Sequence, residues 1–343
     1  MISNVIMVGI VIFLAMTLVA GAQVREDGQH FFDINNSNAL RGFWCLIVVL
    51  VHIPVAHQNR IQDMVGSFAY VGVTFFFMTS AYGLKLQMRK SPNRIKMFWK
   101  RRLPKLLIPC FVVNLLNILV NEITNREITI FSLFKINNWV VWLLVCYFFF
   151  WISYRFMGGG GYKDCLTIIL VSIFSVTVYA LKKYDSTLPG WCPEIFGFVW
   201  GLCLVDVKEN VLRFAKKQWI LKVAVLGLAS CVCGLGYLKL KLIVFWGDYL
   251  LKIVLGLLLL ALLLYINARI CFGNKVNAFL GEISFEVYLT HELVFRLIDK
   301  WMPSINSGIY IVISLLITVI LAVIVKYLSQ CVLVRANNII SVE

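Results

Sequence analysis

Charged residues are scarce in this chain of 343 residues. Asp, Glu, Lys and Arg make up 14% of it, whereas an ordinary soluble domain carries about 25%. Hydrophobic residues make up 61%, and uncharged runs of about 18 residues or more recur along the whole length, each long enough to cross the hydrocarbon core of a bilayer as a helix. This composition excludes a soluble fold and leaves no room for a separate soluble domain.

Acidic residues are the scarcer of the two charge types. The chain has 32 Lys and Arg against 17 Asp and Glu, which gives a formal charge of +15. In a soluble protein such an excess would make nucleic acid a candidate partner. In a membrane protein it is instead a signal of topology, because short cytoplasmic loops are enriched in Lys and Arg.

The sequence predicts an all-α polytopic membrane bundle of eleven helices, formed by the apolar runs between charged or turn-rich breaks. We found no convincing internal repeat and no low-complexity tract. The predicted helices are Ile2–Ala22, Ala39–His57, Gly66–Leu84, Pro104–Val120, Trp139–Phe156, Cys165–Leu181, Trp191–Val205, Trp219–Leu238, Ile243–Tyr265, Ile283–Trp301 and Ile309–Val334.

One loop determines the predicted orientation of the protein in the membrane. The loop between the third and fourth predicted helices carries nine basic residues and no acidic ones, and we call this stretch, residues 85 to 105, the basic loop. It is expected to be cytoplasmic, which puts the N-terminus outside and the C-terminus inside. The nine residues are Lys85, Arg89, Lys90, Arg94, Lys96, Lys100, Arg101, Arg102 and Lys105.

The first predicted helix has an alternative interpretation as a signal peptide, since Ala20-Gly21-Ala22 resembles a small-residue cleavage site. No Lys or Arg precedes the apolar run, and cleavage would carry the basic loop to the outside. We therefore interpret it as a retained helix that packs on the bundle as an anchor.

The cysteines and the glycine run carry little chemistry. The ten cysteines fall mostly inside predicted helices without metal-ligand spacing, so we interpret them as packing residues and expect no metal site. Gly158–Gly161 lacks the strand and the following Lys-Ser/Thr of a phosphate-binding loop, and it is interpreted as a flexible cytoplasmic turn.

Two titratable residues in the second predicted helix are the first candidates for function, because such side chains are costly inside a membrane. Arg41 and His52 are eleven residues apart, so they lie on nearly the same helical face, about 16 Å apart along the axis. A guanidinium suits phosphate, and a neutral imidazole suits general-base catalysis. Arg41 is expected at the cytoplasmic end of the helix and His52 near mid-depth, with Pro54 bending the outer half of the helix. The alternatives are a snorkelling Arg41 and a buried, hydrogen-bonded His52. His57 lies off this face and is left out of the site.

A second polar group lies in the tenth predicted helix. Ser284, Tyr288 and His291 are spaced i, i+4, i+7, which places three hydrogen-bonding side chains on one face. A substrate role and interhelical hydrogen bonding are both open for them. Glu292 and Arg296 have the i, i+4 spacing of a structural ion pair.

These residues fall into four blocks that together resemble bacterial membrane acyltransferase family three, the O-acetyltransferase-like enzymes that modify polysaccharides and lipopolysaccharide. The likeness covers residues 40 to 291. Departures from the family pattern include Lys105, Thr74 and Ala81, which stand where an arginine, an aspartate and a glycine are common. The four blocks are Arg41-Gly42 with His52, Gly72 to Ser80, Arg101-Arg102-Leu103-Pro104-Lys105 through Pro109, and Ser284 to His291.

The resemblance implies a ten-helix membrane acyltransferase domain, here residues 39–334, with residues 1–22 as an extra N-terminal transmembrane helix. It further implies an integral protein of a bacterial cytoplasmic (inner) membrane that moves an acyl group, acetyl in most of the family, from cytoplasmic acyl-CoA to a hydroxyl group. The acceptor would contain carbohydrate, such as a cell-surface polysaccharide or its lipid-linked precursor.

Roles follow from matching these blocks to the family. His52 and Arg41 are the predicted catalytic residues, with His52 as the base or as the group that positions the thioester. The predicted binding residues for the CoA phosphates are Arg41, Arg101, Arg102 and Lys105. The residues predicted to orient acceptor or donor are Ser80, Ser284, Tyr288 and His291.

Three alternatives accompany this hypothesis. The same buried Arg and His could form the substrate or proton site of a transporter or flippase for a lipid-linked sugar or an anionic metabolite. The part of the basic loop from Lys85 to Lys96 is expected to act as a topology signal that touches anionic lipid. Tryptophans that could stack on sugar rings are more simply interpreted as interfacial anchors; they are Trp139, Trp142, Trp191 and Trp246.

Overall fold

The protein is an almost entirely helical bundle. A computed structural model describes residues 2–25, 28, 30–157, 161–182, 184–185 and 190–340; the predicted turn at Gly158–Gly160 lies outside the described residues. The α-helices are α1 (Ile2–Val19), α2 (Ile34–Val51), α3 (Arg60–Gly66), α4 (Ala69–Lys90), α5 (Phe98–Ile123), α6 (Asn138–Phe156), α7 (Tyr162–Lys182), α8 (Phe196–Lys216), α9 (Trp219–Leu240), α10 (Lys252–Asn267), α11 (Lys275–Glu282), α12 (Ser284–Trp301) and α13 (Ser307–Ile340).

Short elements link these helices. Three 3₁₀ turns span Val55–His57, Pro92–Met97 and Ile130–Phe134, and a π-helical turn at Trp246–Leu251 leads into α10. Two strands of two residues, β1 (Gln23–Val24) and β2 (Ile270–Cys271), pair antiparallel.

The predicted membrane bundle is confirmed. Among the described residues, nine helical segments are long and apolar enough to cross a membrane, and they comprise α1, α2, α4, α5, α6, α7, α9, α10 and α13. Helices α8 and α12 form where the sequence predicts helices, but each carries several charged residues in its second half. Charged side chains inside a membrane bundle need polar surroundings. Both helices pack against neighbouring helices, α8 against α4 and α12 against α13.

The bounds of α2 differ from the prediction of Ala39–His57. The helix begins at Ile34 because the side chain of Asp33 caps it, accepting a hydrogen bond from the backbone N–H of Asn36 at 2.9 Å. It ends at Val51, with His52 as its C-cap. The residue before a proline avoids the helical region, so Pro54 ends α2 rather than bending it. The expected bend within this helix is wrong.

The segments after α1 and after α10 build a small platform at one end of the bundle. The antiparallel pair β1–β2 joins them, and Asn36 accepts a hydrogen bond from the Phe272 N–H at 2.6 Å. The short helix α11 packs closely on α2. At Gly42 a Cβ would lie 2.5 Å from the Asn277 carbonyl oxygen, so only glycine permits this approach.

Helices α2 and α4 form the centre of the bundle. Helix α4 packs along α8, where Gly197 and Gly201 are spaced as a GxxxG pair and face the α4 backbone. Helix α1 lies at the periphery against α13 and α3. Its last turn is held by Asn274, whose side chain donates to the backbone oxygens of Thr17 and Ala20 at 2.5 and 2.8 Å.

The helix ends define two faces of the bundle. We call the face where α4 ends and α5 begins the basic face, since the basic loop lies there, and the other face the opposite face. The basic loop does not consist only of lipid-facing charge, as was expected for Lys85 to Lys96. Lys85 is 3% exposed and its ammonium lies 2.7 Å from Asp164 and 2.5 Å from Asp206, while Arg89 also pairs with Asp206. Part of the loop therefore locks α4 to α7 and α8.

The cysteines agree with a packing role in the core: Cys45, Cys110 and Cys146 are buried. Others, such as Cys165 and Cys331, lie exposed on helix surfaces. The described residues contain no group of three His, Cys, Asp or Glu side chains that could hold a metal ion.

Candidate active site

A cleft of about 700 Å³ opens between α2, α4, α5 and α6 at the basic face. We call it the basic cleft. Four cationic side chains line it, and no carboxylate does among the residues that the structure describes. Because uncompensated positive charge in a concave site attracts anions, this cleft suits a phosphorylated ligand. Its chemically relevant lining residues are Arg41, Ser80, Gln87, Lys90, Arg94, Arg102, Trp139 and Tyr147.

Arg41 is the cation that α2 contributes to this cleft. Its guanidinium carbon lies 5.9 Å from the centroid of the Phe76 ring, and its buried Nε has no hydrogen-bond partner among the described residues. A buried donor without a partner carries a desolvation cost that a bound acceptor would remove. Arg41 therefore lines the cleft with a buried guanidinium instead of extending to the membrane surface as a snorkelling residue.

Arg102 completes the cleft from α5. It donates to the Gln87 side chain at 2.6 Å, a neutral partner that holds the guanidinium in place without cancelling its charge. Arg101 and Lys105 are exposed and do not line the cleft. Helical spacing explains the difference, because Arg101 and Lys105 are four residues apart on one face while Arg102 lies on the neighbouring face.

Lys90 and Arg94 were missed as site residues. The 3₁₀ turn at Pro92–Met97 folds the basic loop back over the bundle, and both side chains then line the basic cleft. Tyr147 was missed as well, although Trp139 and Tyr147 are spaced i, i+8 on α6 and share one face. That spacing was the signal available in the sequence.

A second cleft, of about 540 Å³, opens between α2, α5 and α12 towards the opposite face. We call it the polar cleft. It differs from the basic cleft because carboxylates, those of Glu292 and Asp299, accompany its cations. Its polar lining residues are His52, Asn114, Asn117, Arg126, Lys135, Asn137, Glu292, Arg296 and Asp299.

His52 faces the polar cleft from the end of α2. Its Nδ1 lies 2.8 Å from the Val48 carbonyl oxygen, and since a carbonyl only accepts, Nδ1 carries the proton in this contact. In the neutral form of the ring, the remaining nitrogen, Nε2, then holds a lone pair, as a general base requires. His52 is exposed at the helix end rather than buried near mid-depth. It therefore opens into a different cleft from Arg41, although the two residues share a helical face.

His291 packs on His52 and Tyr288 packs on His291, whereas Ser284 contacts neither cleft. The ring centroids of His52 and His291 are 4.7 Å apart, and His291 is buried with neither ring nitrogen bonded among the described residues. The Tyr288 hydroxyl donates to Asn137 at 3.3 Å. Ser284 donates to the Gly281 carbonyl at 2.8 Å and lines neither cleft. Of the three polar residues on this face of α12, His291 therefore contacts His52 and Tyr288 contacts Asn137, whereas Ser284 bonds to the backbone just before the helix.

Arg296 does not form the expected ion pair with Glu292. Its guanidinium donates to Asn121 at 2.7 Å and to Asn117 at 2.5 Å, both on α5, and its Nε donates to the backbone oxygen of Glu292 at 3.3 Å. The long side chain reaches across to α5 instead of along its own helix. The Glu292 carboxylate is exposed at the polar cleft.

His57, which was left out of the site, is buried at the edge of the polar cleft. It stacks on Tyr310 with ring centroids 3.9 Å apart, and its Nε2 lies 3.4 Å from Asp299, which lines the cleft. This contact ties the 3₁₀ turn after α2 to α12 and α13. It fixes the segment that follows His52.

The family assignment comes from comparison with known proteins. A model of the acyltransferase domain family, acyltransferase family 3, matches residues 34–327, from the first residue of α2 into α13. Comparison with curated proteins gives no match, and comparison with solved structures gives none either. The family match covers most of the chain and includes both clefts. The chain belongs to acyltransferase family 3 and is a multi-pass membrane acyltransferase.

Proposed function

We propose that this acyltransferase moves an acyl group, acetyl in the simplest case, from acyl-CoA in the basic cleft to a hydroxyl of a carbohydrate-containing acceptor in the polar cleft. The observation that carries the proposal is the pair of clefts. Within the described part of the chain, one is lined by four cations and no carboxylate, and the other presents His52 among amides and carboxylates. The two linings suit two different substrates.

The donor half of the proposal assigns the CoA phosphates to the basic cleft. Guanidinium groups bind phosphate oxygens bidentately, and ammonium groups bind them as point charges. We assign Arg41, Arg102, Lys90 and Arg94 to this role. The exposed Arg101 and Lys105, which the family pattern suggested, lie outside the cleft.

For the chemical step, we assign the role of general base to His52. Its Nε2 takes the proton of the acceptor hydroxyl as the hydroxyl oxygen attacks the thioester carbonyl carbon. The carbon–sulfur bond then breaks, and the proton passes to the leaving CoA thiolate, which completes the ester and free CoA. His291 packs against the His52 ring and Tyr288 holds Asn137 at the cleft wall, so we assign both a positioning role.

The acceptor half rests on the lining of the polar cleft. Amide, carboxylate and guanidinium groups hydrogen-bond well to the many hydroxyls of a sugar. A cell-surface polysaccharide or its lipid-linked precursor meets this requirement. The Glu292 carboxylate, exposed at the cleft, is the group we expect to bind acceptor hydroxyls.

Placement in the membrane follows from the donor. Acyl-CoA is cytoplasmic, so we propose that the basic face lies in the cytoplasm of a bacterial cell, which puts the N-terminus outside and the C-terminus inside the inner membrane. We propose that α1 is an addition to the domain of residues 39–334, docked on α13.

Binding of acetyl-CoA and of free CoA to the detergent-purified protein tests the donor site, by calorimetry. Saturable binding should be lost in Arg41→Ala and retained in His52→Ala, because one residue captures the anion and the other acts in the chemical step. Lys105→Ala is the matched control, a basic residue near the same face but outside the cleft. Absence of binding by well-folded wild type would overturn the proposal, and sugar or anion counterflow without an acyl donor would point to a transporter.

A further inference from the structure

A continuous series of ring contacts joins the two clefts. Arg41 packs on Phe76, whose ring centroid lies 6.3 Å from that of Trp139. Trp139 lies 5.2 Å from Tyr288, and Tyr288 in turn 5.6 Å from His291, which packs against the His52 ring. Trp139 and Tyr288 are the two middle members of this series.

The wall between the clefts is thin at this point. Asn137 lines the polar cleft and Trp139, two residues later, lines the basic cleft. The Asn137 side chain caps α6 by accepting from the Trp139 backbone N–H at 2.9 Å, and it also accepts from Tyr288. One turn at the start of α6 therefore forms the boundary.

The Trp139 indole fills this boundary and carries an unused donor. The residue is 6% exposed and is enclosed by aromatic rings, including Phe77 at 5.7 Å and Phe285 at 6.2 Å. Its Nε1 has no hydrogen-bond partner among the residues that the structure describes. A buried Trp normally satisfies this N–H, so the donor is available to a ligand. Trp139 is not the interfacial anchor that the sequence suggested.

We propose that Trp139 separates the basic cleft from the polar cleft, and that its Nε1–H binds a carbonyl oxygen of the acyl donor's arm when the donor is seated. The inference rests on the proposed function for the identity of the donor. The arm of acyl-CoA carries two amide carbonyls and the thioester carbonyl, so it supplies the acceptor that Nε1 lacks. The indole must turn aside for the thioester to reach His52.

Cysteine accessibility tests the separation without relying on any acyl donor. Gly83 lines the basic cleft, and a Cβ there would meet no described atom within 4 Å, so Gly83→Cys places a thiol in the cleft without a clash. A charged, membrane-impermeant maleimide is added at the opposite face of sealed vesicles, and its reaction is read by peptide mass at position 83. We expect no labelling when Gly83→Cys is made alone or together with Trp139→Phe, and a gain of labelling when it is combined with Trp139→Ala.

Trp142→Ala is the matched control for the loss of a buried tryptophan. Trp142 lies one turn further along α6, is 4% exposed, and packs on Phe174 and Trp191 without lining either cleft. Combined with Gly83→Cys, it should leave the introduced thiol unlabelled. Equal labelling with Trp139→Ala and Trp142→Ala, or none with a folded Trp139→Ala, would overturn the separation.

Donor affinity tests the hydrogen bond. Trp139→Phe keeps an aromatic ring at the boundary but lacks the N–H, so acetyl-CoA should bind about two- to tenfold more weakly, as expected for one lost neutral hydrogen bond. Binding of adenosine 3′,5′-bisphosphate, which lacks the arm, should not change. Unchanged acetyl-CoA affinity would remove the binding role. If wild type binds no acetyl-CoA at all, the proposed function fails while the labelling result still decides the separation.

Discussion

The buried ammonium of Lys85 gives the sharpest test of the packing at the basic face. It lies 2.7 Å from Asp164, 2.5 Å from Asp206 and 3.0 Å from the Leu202 carbonyl oxygen, with 3% of the side chain exposed. Substitution Lys85→Met keeps the volume of the side chain and removes its charge. The two carboxylates then lose their common partner.

The expected loss follows from what remains around each carboxylate. Breaking a buried ion pair costs about 3–5 kcal/mol when a charge is left behind. Asp164 keeps a hydrogen bond from Tyr154 at 2.5 Å, and Asp206 is 47% exposed and keeps Arg89. Because water and these partners compensate part of the loss, we expect the lower end, about 3 kcal/mol.

Arg89→Met is the matched control, because Arg89 shares the Asp206 partner but is 52% exposed. An exposed pair contributes about 0–1 kcal/mol. The measurement is the free energy of unfolding of both variants by SDS titration in mixed micelles. Equal losses in the two variants would refute the argument that burial of Lys85, rather than the charge of the basic loop, holds α4 to α7 and α8.

Three further substitutions test the packing of α2, the limits of the basic cleft and the docking of α1. Gly42→Ala should lower the free energy of unfolding by about 1–3 kcal/mol or more, since its Cβ would overlap the backbone of α11. Gly83→Ala, with open space around the Cβ, should not lower the melting temperature. Similar losses of stability in the two variants would contradict the close packing. Arg102→Ala should weaken CoA binding and Lys105→Ala should not, and equal effects in calorimetry would place the site elsewhere. Asn274→Ala removes two hydrogen bonds to the last turn of α1, so amide exchange there should rise while that of α4 stays constant; unchanged exchange would mean that packing alone holds α1.

The sequence predicted the helices well because membrane helices are marked by the length of their uncharged runs. All eleven predicted helices occur in the structure, although their ends differ by up to eleven residues, as at α8, which was predicted to end at Val205 and ends at Lys216. The start of α2 was missed because its polar first turns contain no apolar run, and the structure begins it at the cap formed by Asp33. The pairing of β1 with β2 joins segments nearly 250 residues apart in the chain, and no local pattern in either segment predicts it.

The candidate site was only partly predictable from sequence. The blocks around Arg41 and His52 identified both residues, but spacing along one helix could not show that the two side chains open into different clefts. Lys90 and Arg94 were assigned to lipid because the fold-back of the basic loop depends on a 3₁₀ turn. Trp139 was assigned to the membrane interface because its burial depends on rings contributed by α4 and α12.

The thin aromatic wall between the clefts has a consequence for the cell's ion gradients. Two water-accessible cavities that approach each other from opposite faces focus the membrane potential across the short distance between them. In the proposed reaction, this boundary has to hold back protons and small ions while an acyl group passes it. On the Arg41 side of the series the rings of Phe76 and Trp139 carry no titratable group and provide no relay for protons, whereas Tyr288 and His291 on the His52 side are titratable. Loss of the Trp139 side chain would be expected to let ions leak down their gradients as well as to slow acyl transfer.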